Sequence, residues 1–326
     1  MKPTFPLFRL PENVIVQVLQ NLHSSQLLIF SLVSSKTKSL VTSLGFRAFT
    51  VFINISHEIG VMVHIGTLEH LSSWNLIFRN DSNDQNAEFD ITCPISASFQ
   101  FENKTFQPST PFNFSNWLDH IRAVFCYNKP LHVFFWPGSE RFEMVSLKNA
   151  MKNVNCLDIS EGITDIQSRK ILQNFKDLNE LTLRSNPLKD TCEVQKFFIQ
   201  NFEFIKFHGI YLLDDILLTN SEGVIITRPI SQKQFNRFVK HWIRGSNPRL
   251  QNMSLSIDIT NSVSGDLLLK GIPCDELEEE EQQEICQELS IQSDYMVVVR
   301  RNDGTSAVIA SNKYENNIHI YFFTFY

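Results

Sequence analysis

Cysteine and histidine side chains offer this chain its most obvious chemistry, as nucleophiles or as metal ligands. The sequence has nine histidines and six cysteines, the latter being Cys93, Cys126, Cys156, Cys192, Cys274 and Cys286. No two cysteines form a C-x-x-C pair, and no two histidines have the spacing of metal ligands. We therefore expect reduced thiols buried as small hydrophobic side chains, with no metal and no cofactor.

Sequence motifs of the common enzyme classes are missing. There is no G-x-S-x-G, no P-loop, no H-E-x-x-H and no G-x-G-x-x-G. A Cys/His hydrolase needs only one thiol beside one imidazole, so an enzyme stays open as an alternative. The sequence favours a protein that is not an enzyme, and a deep polar pocket with convergent ionisable groups would indicate the opposite.

Acidic residues are concentrated in the segment from Asp275 to Glu288, which holds seven Glu and one Asp. The pattern predicts a solvated, partly helical insertion, because blocks of like charge usually face water. A binding site for a basic partner is the alternative.

Composition limits the class of protein. At 326 residues, 43% of them hydrophobic and 20% charged, the chain has the profile of a soluble globular protein. The net charge of -6 and the pI near 5.9 disfavour nucleic acid as a partner. No apolar run is long enough to cross a bilayer and no signal peptide is evident, so we expect an intracellular protein, in cytoplasm or nucleus.

The predicted secondary structure begins with three short helices. Pro11 suits the first turn of a helix that should start there. Its apolar residues form one stripe at helical period: Val14, Ile15, Val18, Leu19 and Leu22. Ser24 or Ser25 should cap a second helix, and a third should run from Lys36 to Leu44. Such a trio either packs only on its own chain, as a helical cap, or presents apolar surface to a second protein.

These helices resemble an F-box, the adaptor-docking motif of substrate receptors in cullin-RING ubiquitin ligases. The resemblance rests on Leu10-Pro11 and the apolar ladder that follows it as far as Val41. It implies contact with a Skp-type adaptor and through it with a cullin-RING ligase. The residues implied in adaptor binding are Leu10, Pro11, Ile15, Val18, Leu19, Leu22, Leu27, Leu28 and Leu32. Two positions depart from the family: Ser34 replaces a frequent Cys, and Thr37 replaces a frequent Trp.

From Phe46 the apolar period changes to two, which predicts β-strands. Phe49, Val51, Ile53 and Ile55 alternate, a strand follows from Ile59, another lies within 74–78, and a short one is expected at 89–92. Beyond Pro111 a helix, which Ser115 can cap, precedes a strand, and this unit recurs. The strand centres fall 20 to 28 residues apart, near His132, Leu157, Leu181, Ile205, Ile225 and Met253. This spacing lies within the roughly 20 to 29 residues of leucine-rich repeats.

Capping boxes support this register, because they place helix starts at Thr164 and Ser231, and an acidic variant at Asp190. The helix after Ser231 should bury Phe235, Phe238 and Trp242 on one face and end at Gly245. Asp303-Gly304 predicts a tight hairpin, and a last strand at 318–325 should complete a small antiparallel cap.

A second resemblance lies in two pieces of the chain. The first is Phe235 to Leu255, especially Trp242-Ile243-Arg244-Gly245-Ser246-Asn247-Pro248-Arg249-Leu250, and the second is Val299-Arg300-Arg301-Asn302-Asp303-Gly304 followed by Thr305 to Ile309. Both pieces are similar to the F-box-associated type 2 domain that follows the F-box in expanded nematode families. The expected organisation is an α/β fold with a three-helix F-box at 1–45 and the associated domain at 46–326. The latter divides into a β-rich entry at 46–110, leucine-rich-repeat-like helix-strand units at 111–260, and the acidic insertion with the terminal β cap at 261–326.

Three functions follow as hypotheses. The first is a substrate-recognition subunit of a Skp-cullin-F-box ubiquitin ligase, whose C-terminal domain binds an unknown protein target and leaves ubiquitin transfer to other subunits. The second is an interaction scaffold that keeps the F-box helices as a structural cap, which Thr37 favours. The third is an enzyme.

Overall fold

The computed structural model describes residues 7–67, 70–79, 88–101, 104–106, 110–188, 193, 196, 198–208, 217–258, 268–314 and 317–325. Two compact units divide the chain. The first holds Met1–Ile163 and Lys170–Asp177, and the second holds Thr164–Arg169 and Leu178–Tyr326. No helix of the described part is long and apolar enough to span a membrane.

The first unit starts with helices and continues into a sheet. A 3-10 turn, Leu7–Arg9, precedes α1 (Glu12–Gln20), α2 (Ser24–Ser31) and α3 (Ser35–Ser43). The strands are β1 (Ala48–Ile55), β2 (Ile59–Thr67), β3 (His70–Phe78), β4 (Ala97–Phe101), β5 (Lys104–Phe106), β6 (Leu131–Phe135) and β7 (Val154–Ile159). Between these strands lie α4 (Phe114–Val124), a 3-10 turn, Ser139–Arg141, and α5 (Met144–Ala150). A further helix, α6 (Asp165–Asn174), follows β7.

The strand order in this unit is β7-β6-β1-β2-β3-β4-β5. β6 is parallel to both β1 and β7, whereas β1 to β5 pair antiparallel in sequence order. One face is buried by α4, since Trp117 and Phe114 contact Phe78 at ring-centroid distances of 6.0 and 5.3 Å. The other face is only half-buried, as the alternating burial along β1 and β6 shows. Such alternation is typical of a sheet that has one face in the core and one towards solvent.

The second unit combines parallel and antiparallel strands. Its strands are β8 (Glu180–Leu183), β9 (Phe204–Phe207), β10 (Gly223–Ile230), β11 (Asn252–Asp258), β12 (Asp275–Glu276), β13 (Tyr295–Arg300), β14 (Ser306–Tyr314) and β15 (Asn317–Phe325). β8, β9, β10 and β11 pair in parallel, and β15 joins β11 antiparallel, followed by β14, β13 and β12. The six strands predicted beyond Pro111 are all present as β6 to β11. The predicted cap covers the edge of β11, which would otherwise expose unpaired backbone groups.

Two helices of this unit follow the sequence prediction. α7 (Gln232–Ile243) begins at the capping box of Ser231 and Gln234 and buries Trp242 completely. Gly245, at φ +109°, ends it. The acidic helix α8 (Glu279–Leu289) has no buried residue, which agrees with the predicted solvated insertion. Thr164 caps α6 as predicted, since its Oγ1 accepts from the amide of Gln167 at 3.2 Å, whereas the cap predicted at Asp190 lies outside the described residues.

Several local predictions were wrong. A register shift between Ala48 and Thr50 turns Ala48 inward and leaves Phe49 exposed. No strand forms at 89–92, because the Asp90 carboxylate accepts from the Thr92 amide and hydroxyl and so stabilises a turn. Asn113 rather than Ser115 caps α4, accepting from the amide of Asn116 at 2.9 Å.

The thiols also differ from expectation. None of the five cysteines in the described part is buried: Cys93, Cys126 and Cys274 are exposed, and Cys156 and Cys286 are half-buried. Cys192 lies outside the described residues. The described residues contain no group of three or more His, Cys, Asp or Glu that could hold a metal ion.

Candidate adaptor-docking surface

Pro11 is the N-cap residue of α1, whose first helical residue is Glu12. Its ψ of 146° is extended, and its carbonyl accepts from the amides of Val14 and Ile15 at 3.0 and 3.1 Å. In the preceding 3-10 turn, the backbone amide of Leu10 donates to the carbonyl of Leu7 at 3.1 Å. The Leu-Pro pair therefore forms the corner between two short helical elements.

His23, not Ser24 or Ser25, caps α2. Its Nδ1 accepts from the Ser25 amide at 3.3 Å, and the Gln26 side chain accepts from the His23 amide at 2.9 Å. The other ring nitrogen, Nε2, is 2.8 Å from the hydroxyl of Ser72 on β3. This cap was missed because its decisive contact comes from a residue 49 positions away. His23 thus anchors the helices on the sheet of the same unit.

A buried histidine holds α2 to α4. The Ser31 hydroxyl donates to the Leu28 carbonyl at 2.6 Å and lies 2.7 Å from Nε2 of His120. Because a hydroxyl carries one proton, this donation leaves Ser31 Oγ to accept from the ring. Burial, with a smaller contribution from the charge of Lys38, lowers the pKa of His120 to about 4. At neutral pH this contact therefore involves an uncharged imidazole.

Thr37, the position where the resemblance would place Trp, serves α3 instead. It is completely buried, and its hydroxyl accepts from the amide of Ser34 at 2.9 Å while the Ser34 hydroxyl accepts from the amide of Thr37 at 3.1 Å. These two bonds form a capping box. At this position the chain has a helix cap where the family would present an aromatic ring.

The nine residues predicted to bind an adaptor divide by exposure into three groups. Ile15, Leu19, Leu27 and Leu28 are buried within the unit. Leu10, Leu22 and Leu32 are half-buried, and Pro11 and Val18 are exposed, Val18 by 39%. The surface thus keeps apolar side chains in contact with solvent, although about half of the predicted set stabilises the fold instead.

Two exposed apolar residues were not among the predicted set. Phe8 is 48% exposed and Val33 is 70% exposed. The ring of Phe8 stacks on Phe30 at 6.3 Å, and the ammonium of Lys36 lies 5.2 Å from its centroid. Their positions in the sequence could have indicated them, because Phe8 is two residues before Leu10 and Val33 directly follows Leu32. Phe8, Pro11, Val18 and Val33 are hereafter called the apolar patch.

Comparison with known proteins agrees with this geometry. Residues 7–49 match the family described as "F-box domain", and residues 193–255 match the family described as "F-box associated". The chain therefore has one segment similar to an F-box domain, followed by one similar to an F-box-associated domain. The F-box-associated domain-containing protein sdz-33 of Caenorhabditis elegans is 25% identical over 250 residues, which cover 76% of each chain. No solved structure matches the chain.

The F-box match covers the three helices and the first residues of β1, and the second match ends within β11. Both families, and the order of their matches along the chain, were predicted from sequence. The motif 299–304, in contrast, lies beyond the matched range.

Proposed function

We propose that this protein is the substrate-recognition subunit of a Skp-cullin-F-box ubiquitin ligase. Residues 1–45 dock a Skp-type adaptor, and residues 46–326, with a leucine-rich-repeat-like array of helix-strand units, bind a protein target. The chain works inside the cell, needs no cofactor and catalyses nothing itself. Its contribution is proximity, because it holds the target near the ubiquitin-charged enzyme.

The observation that carries this proposal is the apolar patch within the segment that matches the F-box domain. Exposed Phe, Pro and Val side chains on one short segment indicate an interface, since burying them in a complex is favourable by about 25 cal/mol per Å². Of the predicted residues, Pro11 and Val18 contact the adaptor directly. Leu10, Leu22 and Leu32 contribute at its margin, while Ile15, Leu19, Leu27 and Leu28 hold the helices in place.

The test is co-purification of the full chain with a co-expressed Skp-type adaptor. The substitutions Pro11→Asp and Val18→Glu place charges on the patch, and both suit the helix, as Asp is a favourable N-cap residue and Glu a good helix former. We expect the double variant to lose the adaptor. The matched control is Val145→Glu with Ile166→Glu, two exposed apolar residues elsewhere, and it should retain the adaptor.

Wild-type protein that never retains the adaptor, or a Pro11→Asp/Val18→Glu variant that retains it fully, would remove the proposal. Substitutions are preferable to deletion of 1–45. Because the three helices contribute nine buried residues and the His23 and Ser31 contacts to their unit, their deletion would destabilise it under any hypothesis.

A scaffold without ligase work is the second candidate. The contacts of His23 with Ser72 and of Ser31 with His120 favour it, since they show that the helices stabilise their own unit. Thr37, buried in a capping box, points the same way. A folded full-length chain that binds no adaptor would support this candidate.

A further inference from the structure

A half-exposed aromatic cluster lies on the sheet of the first unit, outside the helical surface. Phe52 is at its centre, with His64 and His132 in edge-to-face contact at 5.4 Å each and Phe134 at 5.8 Å. These four residues, here called the aromatic face, come from β1, β2 and β6, and all are half-buried. Their inward-facing strand neighbours, such as Val51 and Val133, are fully buried and form the core.

A cavity of about 500 Å³ lies at the end of the same strands. Its lining, here called the basic pocket, consists of Arg47, Ala48, Phe49, Gly66, Cys126, Asn128 and Lys129. β1 and β6 are parallel and both begin at this edge, while β2 is antiparallel and ends there. The pocket and the aromatic face are therefore close along the same strands: Gly66 follows His64 by two residues, and Lys129 precedes His132 by three.

The charged residues that line the pocket are all basic. Its lining includes two cations and no acidic residue. Arg47 has no salt bridge with any residue in the described ranges. The ammonium of Lys129 lies 4.8 Å from the ring centroid of Phe49 and 3.4 Å from the Phe49 carbonyl oxygen. Two exposed cations on a chain with a net charge of -6 form a local field that attracts carboxylates.

We propose that the basic pocket and the aromatic face together bind an acidic, extended segment of the target protein. The pocket takes a Glu or Asp side chain, and an apolar side chain of the same segment packs on Phe52 and Phe134. Phe49 and Phe52 are three positions apart on β1, which is about 10 Å along a strand. The acidic and apolar residues of the segment are therefore two to four positions apart. This inference deepens the proposed function and rests on it for the identity of the ligand as a target.

The test is selection of a random library of displayed twelve-residue peptides on the immobilised full-length chain. We expect enrichment of peptides with Asp or Glu two to four positions from a large apolar residue. The variant Arg47→Glu/Lys129→Glu should lose this enrichment, and for one selected peptide in fluorescence polarisation it should weaken binding by about tenfold or more. Phe52→Ala should weaken the same peptide.

The matched control is Arg228→Glu/Lys233→Glu, which makes the same charge change at two exposed positions of the second unit. It should keep the enrichment. If the reversed charges lower the melting temperature, Arg47→Gln/Lys129→Gln serves in their place.

No enrichment, enrichment of neutral or basic peptides, or acidic peptides that still bind the Arg47→Glu/Lys129→Glu variant would each overturn the inference. Adaptor co-purification on the same variants separates the two proposals. Variants of the basic pocket should retain the adaptor, so failure of peptide selection with a bound adaptor removes only the acidic target. Failure of the wild type to bind the adaptor removes the ligase function.

Discussion

Replacing Arg301 by alanine should destabilise the second unit by about 3 kcal/mol. The guanidinium is buried and donates from Nη2 to the Gly245 carbonyl at 2.6 Å, just past the end of α7. Its carbon atom also lies 5.5 Å from the ring centroid of Trp242. A hydrogen bond to a charged group contributes about 1.5–3 kcal/mol, and a cation–π contact adds about 0.5–2 kcal/mol. The low ends of both ranges give about 2 kcal/mol and the high ends about 5 kcal/mol.

The neighbouring Arg300 provides a matched control. Its side chain is 72% exposed and pairs with Asp275 at 3.8 Å, so Arg300→Ala should cost less than about 1 kcal/mol. Arg301→Lys should lie between the two, because the ammonium keeps the charge and loses the planar fork. Urea unfolding at pH 7, followed by far-ultraviolet circular dichroism, measures the free energy of unfolding of each variant.

Equal free energies of unfolding for Arg301→Ala and Arg300→Ala would contradict this prediction. That result would mean that the cost of burying the guanidinium cancels its contacts. If Arg301→Ala lowers the free energy of unfolding but Arg301→Lys matches wild type, the positive charge alone stabilises the unit and the hydrogen-bond geometry at Gly245 does not.

Three further outcomes follow from the described contacts. Burial lowers the pKa of His120 to about 4. The unfolded chain takes up a proton on this side chain near pH 6.5, whereas the folded chain does so only near pH 4. As the pH falls from 6.5 to 4, the free energy of unfolding of wild type should therefore decrease by up to about 3 kcal/mol more than that of His120→Gln, measured by urea unfolding across pH. Leu19→Ala, in the core, should cost about 2–5 kcal/mol, whereas exposed Val18→Ala should change the unfolding free energy by less than about 0.5 kcal/mol, a difference that thermal melting detects. Ser231→Ala removes the cap of α7 and should cost about 1 kcal/mol in the same urea assay.

Sequence patterns predicted the elements best where several local signals agreed. α7 has a capping box, an apolar stripe and a terminal glycine, and its boundaries were found nearly to the residue. The hairpin at Asp303-Gly304 likewise combines turn chemistry with two β-rich flanks, and Gly304 adopts φ +97° there. Each signal restricts the backbone by itself, so their agreement leaves few alternatives.

Two of the wrong predictions have a common physical cause, which is competition between neighbouring residues for one structural position. His23, Ser24 and Ser25 can each cap a helix, and the choice falls on His23 because its second nitrogen reaches Ser72. Ala48 and Phe49 compete for one inward position, and the register with β2 decides for alanine. Such choices depend on tertiary contacts that are distant in sequence, so local propensity cannot make them.

The same limit applies to the proposed adaptor surface. Docking and core packing require the same residue types at the same helical spacing, so the pattern cannot separate Val18, which is exposed, from Leu19, which is buried. The F-box resemblance identified the segment, and only the packing of α1 on its own unit distinguishes surface from core. This distinction is what makes point substitutions on the apolar patch informative.

The second resemblance has a different physical origin. Its two pieces meet in the structure, where Arg301 bonds to Gly245 and the Asn302 amide donates to the Ile243 carbonyl at 3.0 Å. These two bonds join α7 to the terminal hairpin, while the side chains of Arg244, Asn302 and Asp303 are exposed. The target segment proposed above is assigned to residues that lie outside both pieces. The aromatic face and basic pocket lie in the first unit and have no residue in common with either piece.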